Sequence, residues 1–422
     1  MEQRKLVLNK GSWKVLLVAI IIVVSDDTLL FGTNSNATFE TLKYAILISI
    51  LFILSLSLLR WFDLRNVSYT SVSCVVLCIL VLLSGIINGD LRTGYFYKCI
   101  ILILSCEFVK IMTLKDFAQI FEKFIFMLAV ISVICTFIAE ISLSVFSIFP
   151  VFYNSANTAF YNLGVYMIPT SSILLRNYGI FREPGVYQMF LILALIFHVY
   201  YTEKIKVRHL FIFILAIVLT FSTTGYIALL FFLILLLIKK NDFFSDNKKK
   251  YIIVVLIMIG ILYMVTQTDL LSSEGIVFDK FSNMKRTTMI ARFSSVFANL
   301  EIWKGNPLFG AGLITVSEMF PILSYQLYGK AVSHNTNTLL CELATYGVIY
   351  TGIIVYGYIK LSNAMSTRVI ERILILLVIF ILSCGEKLTF SPIIYILLFY
   401  GISFQKKDAD EIESVNLLKE RL

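Results

Sequence analysis

The chain has 422 residues, of which 59% are hydrophobic and 15% charged. Soluble domains carry roughly 25% charged residues, so this composition excludes an ordinary water-soluble globule. The net charge of +9 does not point to nucleic acid either, because no loop joins a basic stretch to an aromatic platform.

The apolar residues fall in runs of roughly 15–25, the length that crosses a hydrocarbon core of ~30 Å. These runs are rich in Ile, Leu and Phe and do not alternate, which argues against a membrane β-barrel. A helix satisfies its own backbone in lipid. The expected fold class is therefore all-α, a polytopic transmembrane helical bundle of about 12 spans. The first run, from Lys14 to about Leu30, has the basic front of a signal peptide. Ser25-Asp26-Asp27 is no small-residue cleavage site, so the run reads as an anchor. In chain order the predicted spans lie near 14–31, 41–59, 67–87, 93–109, 124–149, 186–201, 210–221, 226–238, 251–265, 338–359, 373–384 and 392–404. The pieces 210–221 and 226–238 are short and flank Ser222-Thr223-Thr224-Gly225. Two short spans or one broken hairpin both fit.

Lysine and arginine set the orientation. Segments 1–14, 60–66, 110–123, 202–209, 239–250, 360–372 and 405–422 hold 24 of the 36 Lys and Arg residues. That side is read as cytoplasmic, which places both termini inside and makes the span count even. Residues 1–404 form one predicted membrane domain, and 405–422 a cytoplasmic tail with Asp408, Asp410, Glu411 and Glu413. Two long extracytoplasmic segments remain, at about 150–185 and 266–337. A connection as long as the second is usually functional. Within it Ile290, Phe293, Phe297 and Leu300 recur at helical spacing, the pattern of an amphipathic surface helix. Seven cysteines (Cys74, Cys78, Cys99, Cys106, Cys135, Cys341 and Cys384) all lie in apolar runs without a Cys-x-x-Cys pair, and read as small buried residues.

The strongest local pattern is Gly179-Ile180-Phe181-Arg182-Glu183-Pro184-Gly185-Val186-Tyr187-Gln188, an Arg-Glu pair just before a span. Pro184 suits a first helical turn, and Gly185 allows close approach. Arg182 can bind a phosphate in a bidentate manner or snorkel to headgroups with Glu183 as partner. The second long loop carries Lys280, Lys285, Arg286, Arg292 and Lys304, followed by the turn-rich Gly305-Asn306-Pro307-Leu308-Phe309-Gly310-Ala311-Gly312. Of three histidines, His198 reads as structural and His209 as a cytoplasmic flank. His334, in Ser333-His334-Asn335-Thr336, is the one expected outside; a base or a helix N-terminal polar residue both fit. One such His cannot supply a zinc site, and no metal is expected. Asp26, Asp27, Glu107, Glu140, Glu342 and Glu386-Lys387 lie in or near spans, and Glu140 and Glu342 read as the deepest. Such charges raise an ion or proton pathway as the rival class, but the repeated halves of transporters are absent.

The string Phe181-Arg182-Glu183-Pro184-Gly185-Val186-Tyr187-Gln188 resembles the Arg-Glu-Pro-Gly segment of bacterial Wzy-type polysaccharide polymerases, in the O-antigen ligase/polymerase superfamily. Phe221-Ser222-Thr223-Thr224-Gly225-Tyr226 is similar to that family's Ser/Thr-Gly break. Arg292, then Trp303 and Asn306-Pro307-Leu308-Phe309-Gly310-Ala311-Gly312, resembles its Arg…Trp…Pro-Leu-x-Gly-x-Gly pattern, and Ser333-His334-Asn335-Thr336 its Ser-His-Asn. The resemblance implies a metal-independent, cofactor-free glycosyltransferase of the GT-C type in the bacterial cytoplasmic (inner) membrane. It would join undecaprenyl-pyrophosphate-linked oligosaccharides at the outer face, for O-antigen, capsule or another polysaccharide. Its partners would be those lipids, membrane lipid, and a flippase or chain-length regulator. Catalysis would fall to His334, Arg182, Arg292 and Glu183, with Arg286, Arg176, Asn335 and Tyr187 as secondary pyrophosphate-binding residues. A ligase that delivers glycan to a final acceptor shares these motifs. A lipid-linked glycan flippase or transporter, or a non-catalytic assembly scaffold, is the reading from another class.

Overall fold

A computed structural model of the chain describes residues 12–25, 28, 45–51, 68–90, 92–153, 158–171, 175–202, 205–239, 260, 276–332 and 335–404, with backbone only over 276–289. The expected span at 251–265, His334 and the tail 405–422 lie outside or almost outside these residues. The structure is mostly helical (76%). Among the described residues, the helices with both ends defined are α1 (Ser12–Val24), α2 (Tyr69–Ile87), α3 (Thr93–Ile111), α4 (Leu114–Ile141), α5 (Pro184–Tyr201), α6 (Val207–Val218), α7 (Thr223–Ile238), α8 (Ile276–Gly305), α9 (Gly312–Tyr328), α10 (Thr338–Met365), α11 (Val369–Ser383) and α12 (Pro392–Ser403). Four of them (α2, α4, α5 and α10) are long and apolar enough to cross a membrane.

Helix ends follow local chemistry. Thr113 caps α4 by accepting from the Asp116 amide, so the helix begins ten residues before the predicted span at 124. It also stops earlier, at Ile141, and a 3-10 helix covers Leu143–Ile148. The hydropathy reading had started the span where the charges of 110–123 end, whereas capping starts the helix where the backbone can turn. Residues 150–185 are not featureless: strands Val151–Tyr153 (β1), Ala159–Asn162 (β2) and Met167–Pro169 (β3) form an antiparallel sheet in that order, with Phe152 opposite Phe160 and Tyr161 opposite Ile168. Tyr166 ties this sheet to α4 through a 2.6 Å hydrogen bond between its hydroxyl and that of Thr136.

The core lies along α5 and α12, whose residues are almost all buried. Around them α2 and α4 turn Val75, Ile79, Ile86, Ile134, Phe137 and Ile141 outward, the apolar surface a bilayer would cover. Small residues set the closest crossing. A Cβ on Gly401 of α12 would fall 1.9 Å from the Gly357 carbonyl of α10, so only glycine permits this approach. The cysteines are free thiols, and Cys78 and Cys99 face each other between α2 and α3.

Hydrogen bonds join several charged segments at one end of the bundle. Lys14 pairs with Asp116, Tyr200 donates to Glu371, Lys239 donates to the Val199 carbonyl, and Gln119 to the Tyr201 carbonyl. The starts of α5, α7 and α10 and the α11–α12 connection meet at the other end.

Candidate active site

Four chain segments converge at this second end. The first is the turn before α5, where Pro184 occupies the opening turn and Glu183 precedes it in an extended conformation. The second is the break between α6 and α7. Its backbone is strained at Phe221 (φ 48°), and Ser222 caps α7 by accepting from the Gly225 amide. The third is α8, and the fourth the segment that opens α10. Each residue of the break has a separate task. Thr223 accepts a 2.5 Å hydrogen bond from Arg292 Nη1. The Thr224 methyl packs where a side chain on Gly385 would stand. Gly225 leaves room for Gln188, a fully buried side chain whose amide has no hydrogen-bond partner among the described residues.

Among the described residues, three guanidinium groups gather here. Arg176 donates to the carbonyls of Thr220 (2.9 Å) and Phe221 (3.3 Å), satisfying the frayed end of α6. Arg292 feels both Arg176 and Glu386; burial draws its pKa down, Glu386 opposes this, and a guanidinium remains charged regardless. Arg182 lies 3.9 Å from Glu183, about a quarter exposed, in the reach of solvent. The carboxyl of Glu386 rests directly on Gly185, where a Cβ would stand 1.9 Å from its Oε1. Burial first, then the negative charge of the neighbouring Glu183, push Glu386 well above the ordinary carboxylate range, against the pull of Arg182 and Arg292. Sequence reading noted Glu386-Lys387 only as a near-membrane charge. Nothing local marks it as a partner of Glu183, because the two are about 200 residues apart in the chain.

Asn335 is held by α8. It exchanges two amide hydrogen bonds with Asn299 (2.9 and 3.2 Å), while Ser295 Oγ accepts from the Thr336 amide (2.8 Å). Ser295 and Asn299 follow Arg292 by one and two turns. Asn335 and Thr336 are therefore held on the helix that carries Arg292. His334 itself and the side chain of Arg286 are outside the described residues.

Several expectations need correction. Tyr187 is no pyrophosphate ligand: it is fully buried, its hydroxyl bonded to Ser132 and its ring against Gly179 and Phe181. Asn335 spends its amide on Asn299. On α8, Phe293 and Phe297 of the apolar stripe are exposed, as a surface helix allows, while Ile290 packs on a buried cluster and Ser294, Ser295, Ala298 and Asn299 are buried. Small residues let helix backbones approach, and the hydrogen bonds to Asn335 and Thr336 need them inside. Glu140 is exposed at the end of α4 rather than deep. Glu342 is deep but neutralised, with Lys98 Nζ at 2.5 Å and the Tyr395 hydroxyl at 2.9 Å. His209 is not a loose flank. Its Nδ1 and that of His198 both donate to Glu122 Oε1 (2.7 and 2.9 Å), and the Lys206 amide donates to His198 Nε2 (3.0 Å). That last bond fixes the proton of His198 on Nδ1, the nitrogen a metal shared with Glu122 would need free, so the trio is a hydrogen-bonded clamp.

The Pro-Leu-Phe-Gly-Ala-Gly stretch proves structural. Helix α10 is broken at Gly347 (φ 82°), where a Cβ would fall 2.1 Å from the Leu308 carbonyl. The freed backbone groups pair with this stretch: the Val348 amide donates to Pro307 (2.9 Å) and the Ala311 amide to Ala344 (2.8 Å). Beside it a cleft between α9, α10 and the α11–α12 connection is lined by Phe320, Asn335, Tyr346, Lys387 and Phe390. Neither the protein-family models nor the curated proteins include a match to this chain.

Proposed function

We propose that the chain is a glycosyltransferase that polymerises undecaprenyl-pyrophosphate-linked oligosaccharide repeat units at the outer face of the bacterial cytoplasmic membrane. The supporting observation is the meeting of Arg176, Arg182 and Arg292 with two carboxyls at one end of an apolar bundle. Arg182 with Glu183, and Arg292, come from separate segments that individually resemble the polymerase motifs. The opposite end gathers the basic segments read as cytoplasmic.

In this reading the acceptor sugar hydroxyl attacks the anomeric carbon of the donor, and the bond from that carbon to the pyrophosphate oxygen breaks. Negative charge develops on the departing pyrophosphate. Arg182 and Arg292 receive it, each such contact being worth ~3 kcal/mol in the transition state. Arg176, committed to two carbonyls, shapes the break and adds to the field. The hydroxyl proton passes to His334, whose chain neighbours are fixed on α8. The lipid tail lies against the exposed apolar helix faces. Two arginines thus take the part a divalent ion plays in soluble sugar-nucleotide transferases. A flippase driven by Glu140 or Glu342 finds less support, since the first is exposed and the second paired.

The test is elongation. Purified protein in liposomes receives a defined lipid-linked repeat unit, and the products are separated by chain length. A ladder of multiples is expected; single repeats alone, in a system where a known polymerase elongates, reject the reading.

A further inference from the structure

Transfer as described gives no task to the cleft between α9, α10 and the α11–α12 connection, yet two segments join that cleft to the arginine cluster. The Glu386 carboxyl rests on Gly185, in the turn that carries Arg182, and the next residue, Lys387, lines the cleft. Asn335 makes the second join. It is bonded to Asn299 on the helix of Arg292, it lines the cleft, and it follows His334 in the chain.

The walls have mixed chemistry. Phe320, Tyr346 and Phe390 supply aromatic surface, while Asn335, Thr345 and Thr389 supply an amide and hydroxyls. Asn335 gives one amide N–H to Asn299 and keeps the other. Tyr346 is 2% exposed, and its hydroxyl has no hydrogen-bond partner among the described residues. A buried hydroxyl without a partner is costly, so one in the wall of a cleft calls for a group that comes to meet it. These walls are also braced from behind. Lys98, fully buried on α3, donates to Glu342 Oε1 (2.5 Å), to the Thr389 carbonyl (2.5 Å) and to the Tyr395 hydroxyl. Its ammonium lies 5.3 Å from the ring centre of Tyr346 and 5.4 Å from that of Phe390. A buried ion pair is expensive to desolvate, and this one fixes Tyr346, Thr389 and Phe390, all of which line the cleft. Ser317 and Lys387, by contrast, are exposed and mark its mouth.

We propose that this cleft is a sugar-binding site that seats the terminal ring of the acceptor. The aromatic side chains take the C–H face of a pyranose, and the Tyr346 and Thr389 hydroxyls and the Asn335 amide take its hydroxyl edge, the few polar groups in a largely apolar pocket fixing orientation. A ring held here stands between Asn335 and Lys387. It is therefore flanked by the segment assigned the base and by the connection that borders the arginines. The role of acceptor rests on the glycosyl-transfer reading; the binding of a sugar does not.

The probe is the repeat-unit oligosaccharide of the cell that makes this protein, cut from its lipid by mild acid, which keeps the sugar hydroxyls and removes the pyrophosphate. Its affinity for the full-length protein in detergent is measured by saturation-transfer NMR, beside that of inorganic pyrophosphate. Ser317→Trp fills the mouth of the cleft, and Phe390→Ala removes one aromatic wall. Each should weaken oligosaccharide binding by about tenfold or more and leave pyrophosphate binding within about twofold. Ser317→Trp sits at an exposed position and carries the test if Phe390→Ala misfolds. Unchanged oligosaccharide binding in folded Ser317→Trp overturns the cleft, as does wild type that binds no oligosaccharide. Equal loss of both probes also overturns it, because the cleft is then no site of its own. Oligosaccharide binding that follows the variants, in a protein that does not elongate lipid-linked repeats, keeps the sugar site and removes the polymerase reading.

Discussion

Arg292 ties several parts of the candidate site together: it bonds Thr223, faces Glu386 and shares its helix with the residues that hold Asn335 and Thr336. Arg292→Ala should lower the elongation rate on lipid-linked repeats by about 100-fold, the loss of one strong oxyanion contact. Arg292→Lys keeps the charge but not the planar fork, and should still lose about tenfold in the same assay. Equal rates in all three proteins would place Arg292 outside the chemistry. Glu386 has a consequence for stability as well. Its folded-state pKa lies above the unfolded value, so the native protein binds more protons than the unfolded chain between the two. The stabilisation is full below the unfolded carboxylate pKa of about 4.3 and is lost as pH rises through the folded one. Thermal unfolding in detergent should show the midpoint of wild type falling over that window and Glu386→Gln falling less.

Among the elements, α10 shows how a motif can act by holding shape. Gly347 interrupts the helix with a backbone angle that side chains resist, and the Pro307–Gly312 stretch fills the gap with its own backbone. Gly347→Ala adds a Cβ 2.1 Å from the Leu308 carbonyl on top of the strained φ, and should destabilise by more than about 3 kcal/mol. Gly329 is the comparison: its φ is 68°, but a Cβ there meets nothing within 4 Å. Gly329→Ala should cost only about 1 kcal/mol, so the two midpoints separate the angle from the clash. If both variants unfold together, the docking of this stretch on α10 contributes little.

For the molecule as a whole, the two ends have different chemistry. One end is laced by Lys14–Asp116, Lys239–Val199 and Tyr200–Glu371, the other by the arginine and carboxyl cluster. On the proposed orientation, a membrane-impermeant maleimide added to intact cells should label Lys304→Cys and Lys330→Cys, both in exposed positions, and leave Lys110→Cys unlabelled until the membrane is opened. The reverse pattern would invert the protein and move the candidate site to the cytoplasm.

The sequence by itself determined the helical class, because long apolar runs in one chain leave no other way to satisfy the backbone in lipid. It also picked out Arg182, Glu183 and Arg292, which stand out as charges beside apolar runs and turn residues. Tertiary structure decided the rest. Tyr187 shares a motif with Arg182 but points into the core, since helix rotation about α5 assigns each residue a side that spacing in a short motif does not give. On α8 the spacing of apolar residues does not reveal which residues face the protein, because burial there follows small residues and hydrogen bonds. Glu342 meets Lys98, and Glu386 meets Glu183, across long stretches of chain. A charge in an apolar run announces that a partner exists; only the packing of distant helices supplies it, and with it the protonation state on which the chemistry depends.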